Sequence, residues 1–177
     1  DKVKIQTWGK KQSKLYSMRD YLMLNSDNEV ICKGTSAWLL LDLKTLRPKI
    51  LTELYPELKM LDLKDALSDL PQKITPTTHT EIVNSSQIRY SDIDLNQHAN
   101  NAKYIELMLD CFDLEFHKAH TIKSLTVSFN SESKFGDQIQ LNRGTESKTP
   151  HTYYIDAKNM NTNKIVFQAV VVSKFAT

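Results

Sequence analysis

Tyr90–Phe112 reads YSDIDLNQHANNAKYIELMLDCF, and its two halves have different rhythms. In the first half Asp94, Asn96 and His98 occupy alternate positions. Asn100 and Asn101 then suit a helix start, because their side-chain oxygens can accept from the exposed amides of a first turn. Beyond them Ala102, Ile105, Leu109, Phe112 and Phe116 recur at steps of three and four. This spacing predicts one helix from about Asn100 to Phe116 with that stripe buried.

The residues around the helix read as strands. EIVNSSQIRYSDID supplies one before it, and four follow it. SLTVSFN alternates Leu125, Val127 and Phe129; DQIQLNR alternates Ile139 and Leu141; HTYYIDAKN and NKIVFQAVVVSKF flank MNTN, a hairpin turn. An antiparallel sheet that follows one long helix buries the helix's apolar face by wrapping around it. The order therefore predicts an α+β fold of the hotdog type over residues 82–177.

The first half contains similar strands but no long helix ahead of them. VKIQTW alternates Val3, Ile5 and Thr7 against Lys4 and Gln6, the pattern of a half-buried strand. Two further strands join at the turn formers NSDNE, and LTELYPELKMLDLKDALSDL reads as short helical turns. The expected organisation is residues 1–66 as the C-terminal part of a first hotdog plus short turns, 67–81 as a linker, and 82–177 as a second hotdog carrying the site. The first copy would lack its N-terminal strand and helix. Since the chain starts at Asp1, it is expected to be part of a longer protein. An unclosed first sheet would expose apolar surface and leave a homodimer open.

Composition excludes several classes. Hydrophobic residues are 40% and charged residues 25%, the balance of a globular protein. No apolar run approaches the roughly 20 residues of a membrane span, and AWLLLDL and VFQAVVV read as buried strands. A net charge of +2 without an arginine stripe argues against nucleic acid. Lys10, Lys11, Lys14 and Arg19 form either a solvated edge or a basic face for an acidic partner. Cys32 and Cys111 read as reduced thiols, which with no signal peptide fits the cytoplasm of a bacterium or, for a plant protein, the plastid stroma.

Asp94, Asn96 and His98 have a bland reading as caps and turn formers. A metal reading is weaker, since His98 has no second histidine at ligand spacing and His117 with His120 has no cysteine or carboxylate pattern beside it. Cys111 lies about 20 Å along a helix from His98, which disfavours a thiol–imidazole pair and suggests packing.

SDIDLNQHANNAKYI closely resembles the plant-type acyl-acyl carrier protein (acyl-ACP) thioesterases, whose pattern runs Asp-x-Asn-x-His-Val-Asn-Asn-x-Lys-Tyr-Ile. VKIQTW, MRDYLML and GTSAWLLLDLKTLRP look like the family's first-half strands, and LTVSFNSES like the segment carrying its catalytic glutamate. The resemblance implies a tandem hotdog that needs no cofactor and releases free fatty acid from an acyl carrier protein. It implies catalytic roles for Asp94, Asn96, His98 and Glu132. The family's cysteine after the glutamate is here Ser133, so a cysteine nucleophile is unavailable and direct attack by water is the simpler route. Glu132 would be the general base if partial burial tunes it. Amides at the helix start, around Asn100 and Asn101, would bind substrate by holding the oxyanion. Asp94 would orient neighbouring groups, although a covalent acyl-Asp route stays open. The alternatives are an acyl-CoA thioesterase and a non-catalytic acyl-binding hotdog.

Overall fold

The computed structural model describes residues 2–13, 15–45, 47–55, 65–77, 80–145 and 149–176. The chain divides into two compact units, Asp1–Gln72 and Lys73–Thr177.

The first unit is an antiparallel sheet of β1 (Lys4–Ser13), β2 (Tyr16–Leu24), β3 (Val30–Leu41) and β4 (Pro48–Lys49), in that spatial order. Its turns follow from side-chain acceptors. Asn25 Oδ1 takes the amides of Asp27 and Glu29, and Asn28 adopts a left-handed φ of 60°. Asp42 Oδ1 takes the amides of Lys44 and Thr45 and the Thr45 hydroxyl. The short helical turns expected after β4 begin with α1 (Leu51–Leu54), and residues 56–64 lie outside the described residues.

Burial in this unit departs from the sequence expectation. Val3 and Ile5 are exposed, whereas Trp8, Met18 and Leu24 are buried, so the covered side of β1 is the one bearing Trp8 and Lys10. AWLLLDL forms much of β3 but is not buried: Trp38, Leu39 and Leu41 each keep over two fifths of their surface. Among the described residues the unit has no helix longer than α1 to cover the sheet. Lys10 is neither solvated edge nor docking face. It is buried, with Nζ 3.3 Å from Asp20, 3.1 Å from Asp65 and 3.3 Å from the Leu67 carbonyl. Lys14 and the Lys11 side chain lie outside the described residues, and Arg19 donates to Thr7 Oγ1 at 3.2 Å.

The second unit contains β5 (Glu81–Gln87), α2 (Asn101–Leu109), α3 (Leu114–Ala119), β6 (His120–Phe129), β7 (Gln138–Thr145), β8 (Thr152–Asn159) and β9 (Lys164–Phe175). The sheet is antiparallel in the order β5-β7-β8-β9-β6, so the helical segment connects the two edge strands. Helix and sheet share one core. Tyr104, Met108, Cys111 and Phe112 pack with Ile139, Leu141, Ile155, Ala157, Phe167, Ala169 and Val171. Period-two alternation on β7, β8 and β9 delivers those sheet residues to one face.

The single predicted helix is two. Asp113 interrupts it, its Oδ1 accepting the Phe116 amide at 2.7 Å as the N-cap of α3. The buried stripe is also displaced: Tyr104 and Met108 are buried, whereas Ala102 is exposed and Ile105 and Leu109 are half-buried. Phe116 stays in register with the stripe because it stacks on Phe112 at 4.2 Å.

Candidate active site

Asp94 shapes the loop ahead of α2. Its Oδ1 accepts the Asn96 amide at 2.8 Å and the His98 amide at 3.4 Å, while its own amide donates to the His98 carbonyl at 2.8 Å. Gln97 turns the tip with a left-handed φ of 64°, and Ile93 bridges to Ala99 below it. The carboxylate therefore stiffens the segment that presents Asn96 and His98.

The opposing limb follows β6. Asn130 N and Ser131 N both donate to the Val166 carbonyl, at 2.7 and 3.2 Å. The Ser131 hydroxyl donates to the Ile165 carbonyl at 2.7 Å. Ala99 N then donates to the Ser133 carbonyl at 2.8 Å, which ties the two limbs together. At this tie His98 Nε2 lies 3.1 Å from Glu132 Oε2. Asp94, Asn96 and Asn100 line an open groove of about 980 Å³ together with the exposed side chains of Tyr90, Leu95 and Phe135. His98 and Glu132 are not part of its lining.

Two details correct the sequence expectation, and a third adds to it. The Glu132 side chain retains 70% of its surface, so it is open to water instead of partly buried. It sits on the stretch after β6, beyond the end of the sheet. The amides around Asn100 are mostly engaged: Asn100 N donates to Asp92 O at 2.8 Å, Ala102 N to Asn100 Oδ1 at 2.9 Å, and Lys103 N to Asn100 O at 2.9 Å. Asn100 is thus the N-cap of α2, and Asn101 is the first-turn amide with no described acceptor. Ser133 is fully buried with its hydroxyl beside the Asn159 amide at 3.5 Å, a setting without a base to activate it.

Replacing Asn100 with Ala is expected to cost the second unit about 1 kcal/mol through loss of the cap. Urea unfolding followed by tyrosine signals from this unit checks it.

Cys111 is buried as a packing residue, and burial pushes its thiol up to about 12, which removes it as a nucleophile near neutral pH. His117 Nε2 donates to the Leu109 carbonyl at 3.1 Å, and His120 stacks between Phe116 and Phe175. Sequence reasoning does not single out Asn159 and Asp137, since the first reads as the last residue of the strand HTYYIDAKN and the second as the first residue of the strand DQIQLNR.

A two-edged antiparallel sheet packed on a helix, with an Asp/Asn/His loop meeting a glutamate, defines a hotdog-type fold with a polar cluster ahead of α2. Residues 76–169 match the acyl-ACP thioesterase C-terminal domain, and residues 1–58 match the acyl-ACP thioesterase N-terminal domain. A chloroplastic palmitoyl-acyl carrier protein thioesterase from Gossypium hirsutum is 30% identical over 139 residues, 75% of this chain and 34% of its own length. A chloroplastic oleoyl-acyl carrier protein thioesterase from Arabidopsis thaliana is 26% identical over 164 residues, 85% of this chain and 44% of its own. The crystal structure of an acyl-ACP thioesterase from Bacteroides thetaiotaomicron superposes with a TM-score of 0.82 at 24% identity, covering 97% of this chain and 68% of that one. The chain belongs to the acyl-ACP thioesterase family. It spans between a third and a half of the length of these curated relatives. No helix among the described residues is long and apolar enough to cross a membrane.

Proposed function

We propose that this protein hydrolyses the thioester of an acyl carrier protein to free fatty acid and carrier thiol, with the active site in the second unit. The observation that carries the reading is the 3.1 Å contact between His98 Nε2 and Glu132 Oε2 beside a loop ordered by Asp94. Glu132 Oε2 faces His98, which leaves Oε1 to take a proton from an incoming water. The water oxygen adds to the carbonyl carbon, and the oxyanion is held by the Asn101 amide at the positive end of α2 and by the Asn96 side chain. Collapse expels the carrier thiolate, His98 supplies its proton, and the proton that Glu132 took from water passes back to His98 across their 3.1 Å contact.

Asp94 spends an oxygen on two backbone amides, which favours an orienting role over covalent attack. Residues 1–66 serve in this reading as part of a first hotdog, and 67–81 as the link. A bacterial member would work in the cytoplasm and a plant member in the plastid stroma.

The test measures free thiol released from a panel of acyl-ACPs and matching acyl-CoAs. Carrier-linked donors are expected to be cleaved faster than CoA donors. Equal or faster CoA cleavage would shift the reading to an acyl-CoA thioesterase. Acyl binding with no cleavage of either donor would leave a binding module.

A further inference from the structure

Glu132 is largely exposed, and His98 is its one described side-chain partner. Its position must therefore come from the backbone of residues 131–137. We propose that Asn159, fully buried at the end of β8, is a positioning residue that fixes this backbone and so sets the Glu132–His98 contact. The kinetic part of this inference rests on the hydrolase reading above, and the geometric part does not.

Asn159 uses every hydrogen-bonding position its amide has. Nδ2 donates to Asp137 Oδ2 at 2.7 Å and to Ser133 Oγ at 3.5 Å. Oδ1 accepts the amides of Asn161 at 2.9 Å and Thr162 at 3.1 Å. One side chain thus joins the β8–β9 turn to the loop that bears Glu132. The Asp137 carboxylate passes the restraint on, because the same Oδ2 accepts the Lys134 amide at 2.8 Å. Gly136 N and Ile88 N complete the seam, to the Ile88 and Asp137 carbonyls, both at 2.9 Å. Ser133, bonded on one side to Asn159, is also the residue whose carbonyl holds Ala99, next to His98.

A buried amide with all its partners inside the protein has two discrete states, satisfied or broken, and leaves little slack. Fixing the chain at Ser133 and Lys134 brackets Glu132 from its C-terminal side, as the Val166 carbonyl does at Asn130 and Ser131 from the other. Loss of one bracket lets the glutamate drift from His98, and a displacement near 1 Å can cost about 100-fold in rate.

The test uses two readouts on the whole chain. The first is the ring ¹H–¹⁵N signal of His98 at one fixed pH, in wild type, Glu132→Gln, Asn159→Ala and Asp137→Ala. Glu132→Gln is expected to move the signal, and both loop variants are expected to move it the same way while the amides of β7 and β9 keep their positions. Asp137 is only half-buried, so its variant keeps the question open to refutation should Asn159→Ala fail to fold. A His98 signal unmoved by Glu132→Gln, or unmoved in the loop variants, overturns the proposal. The second readout is thiol release, where Asn159→Ala is expected to lower kcat about 100-fold with little change in KM, and to add nothing in the Glu132→Gln background. Full additivity there would mark Asn159 as merely structural and overturn it. A wild type that cleaves no donor defeats the hydrolase reading alone, since the His98 signal still decides the positioning.

Discussion

Glu132→Gln is expected to lower the rate of thiol release from an acyl carrier donor by about 10²–10⁴-fold, most of it in kcat. The substitution is nearly isosteric, and the new amide oxygen can still accept from His98 Nε2, so the limb geometry survives. What disappears is the carboxylate able to take a proton from water. Because 70% of this side chain is exposed, the unfolding free energy is expected to change by no more than a surface substitution does, about 0.5 kcal/mol. Substrate affinity is expected to hold, since the groove lined by Asp94 and Asn96 does not include Glu132. Side-by-side steady-state kinetics on carrier-linked donors check this. A variant that keeps more than a tenth of the wild-type kcat removes Glu132 from the role of base. In that case His98 Nδ1 becomes the group to examine.

The sheet of the second unit was legible because alternation is a local property. Ile139 and Leu141, or Phe167, Ala169 and Val171, fall on one face whatever the rest of the chain does. The helix was half legible. Its apolar recurrence runs on through Phe112 and Phe116, and both do pack together, so periodicity alone could not reveal that Asp113 restarts the chain as a new cap. The Asp94–His98 loop was visible as turn chemistry, but its partner was not. A glutamate between two serines carries no signal until β6, β9 and the Ala99–Ser133 tie bring it beside His98. Only the resemblance to a known pattern singled out Glu132. Lys10 shows the opposite case: its parity with Trp8 placed it on one face of β1, yet its burial depends on Asp20, and the register of the β1–β2 pairing decides that.

Asp20→Ala is expected to destabilise the first unit by about 3 kcal/mol, the lower end of what breaking a buried ion pair costs. Asp20 is fully buried, and its Oδ2 holds both Lys10 Nζ at 3.3 Å and the Ala66 amide at 2.8 Å. Truncation leaves the Lys10 ammonium buried and the Ala66 amide without its acceptor. Asp65 keeps the loss from being larger, because it stays 3.1 Å from Lys10 and opens to solvent. Burial pushes the Asp20 carboxyl up, but the Ala66 amide and Lys10 outweigh it, so its value lies below the ordinary aspartate. Burial likewise opposes the charge on Lys10, and the hydrogen bonds to Asp65 and Asp20 overcome it, raising that group. The signs follow. A depressed carboxyl contributes stability above its unfolded value, near about 3.9, and loses it as pH falls through the lower folded value. A raised amine contributes below about 10.4 and loses it as pH rises through the higher folded value. Wild type should therefore shed this stabilisation at both extremes, and Asp20→Ala should lack the acid limb. Replacing both partners, Lys10→Met with Asp20→Leu, is expected to recover the part of the loss that comes from the stranded ammonium, since no buried unpaired charge remains, but not the part that comes from the Ala66 amide. Amide hydrogen exchange in β2 measures the first unit apart from the second, and that locality matters because a two-unit chain need not unfold in one step. Exchange in β2 that Asp20→Ala leaves unchanged would mean that the pair is not what holds residues 65–67 to this sheet.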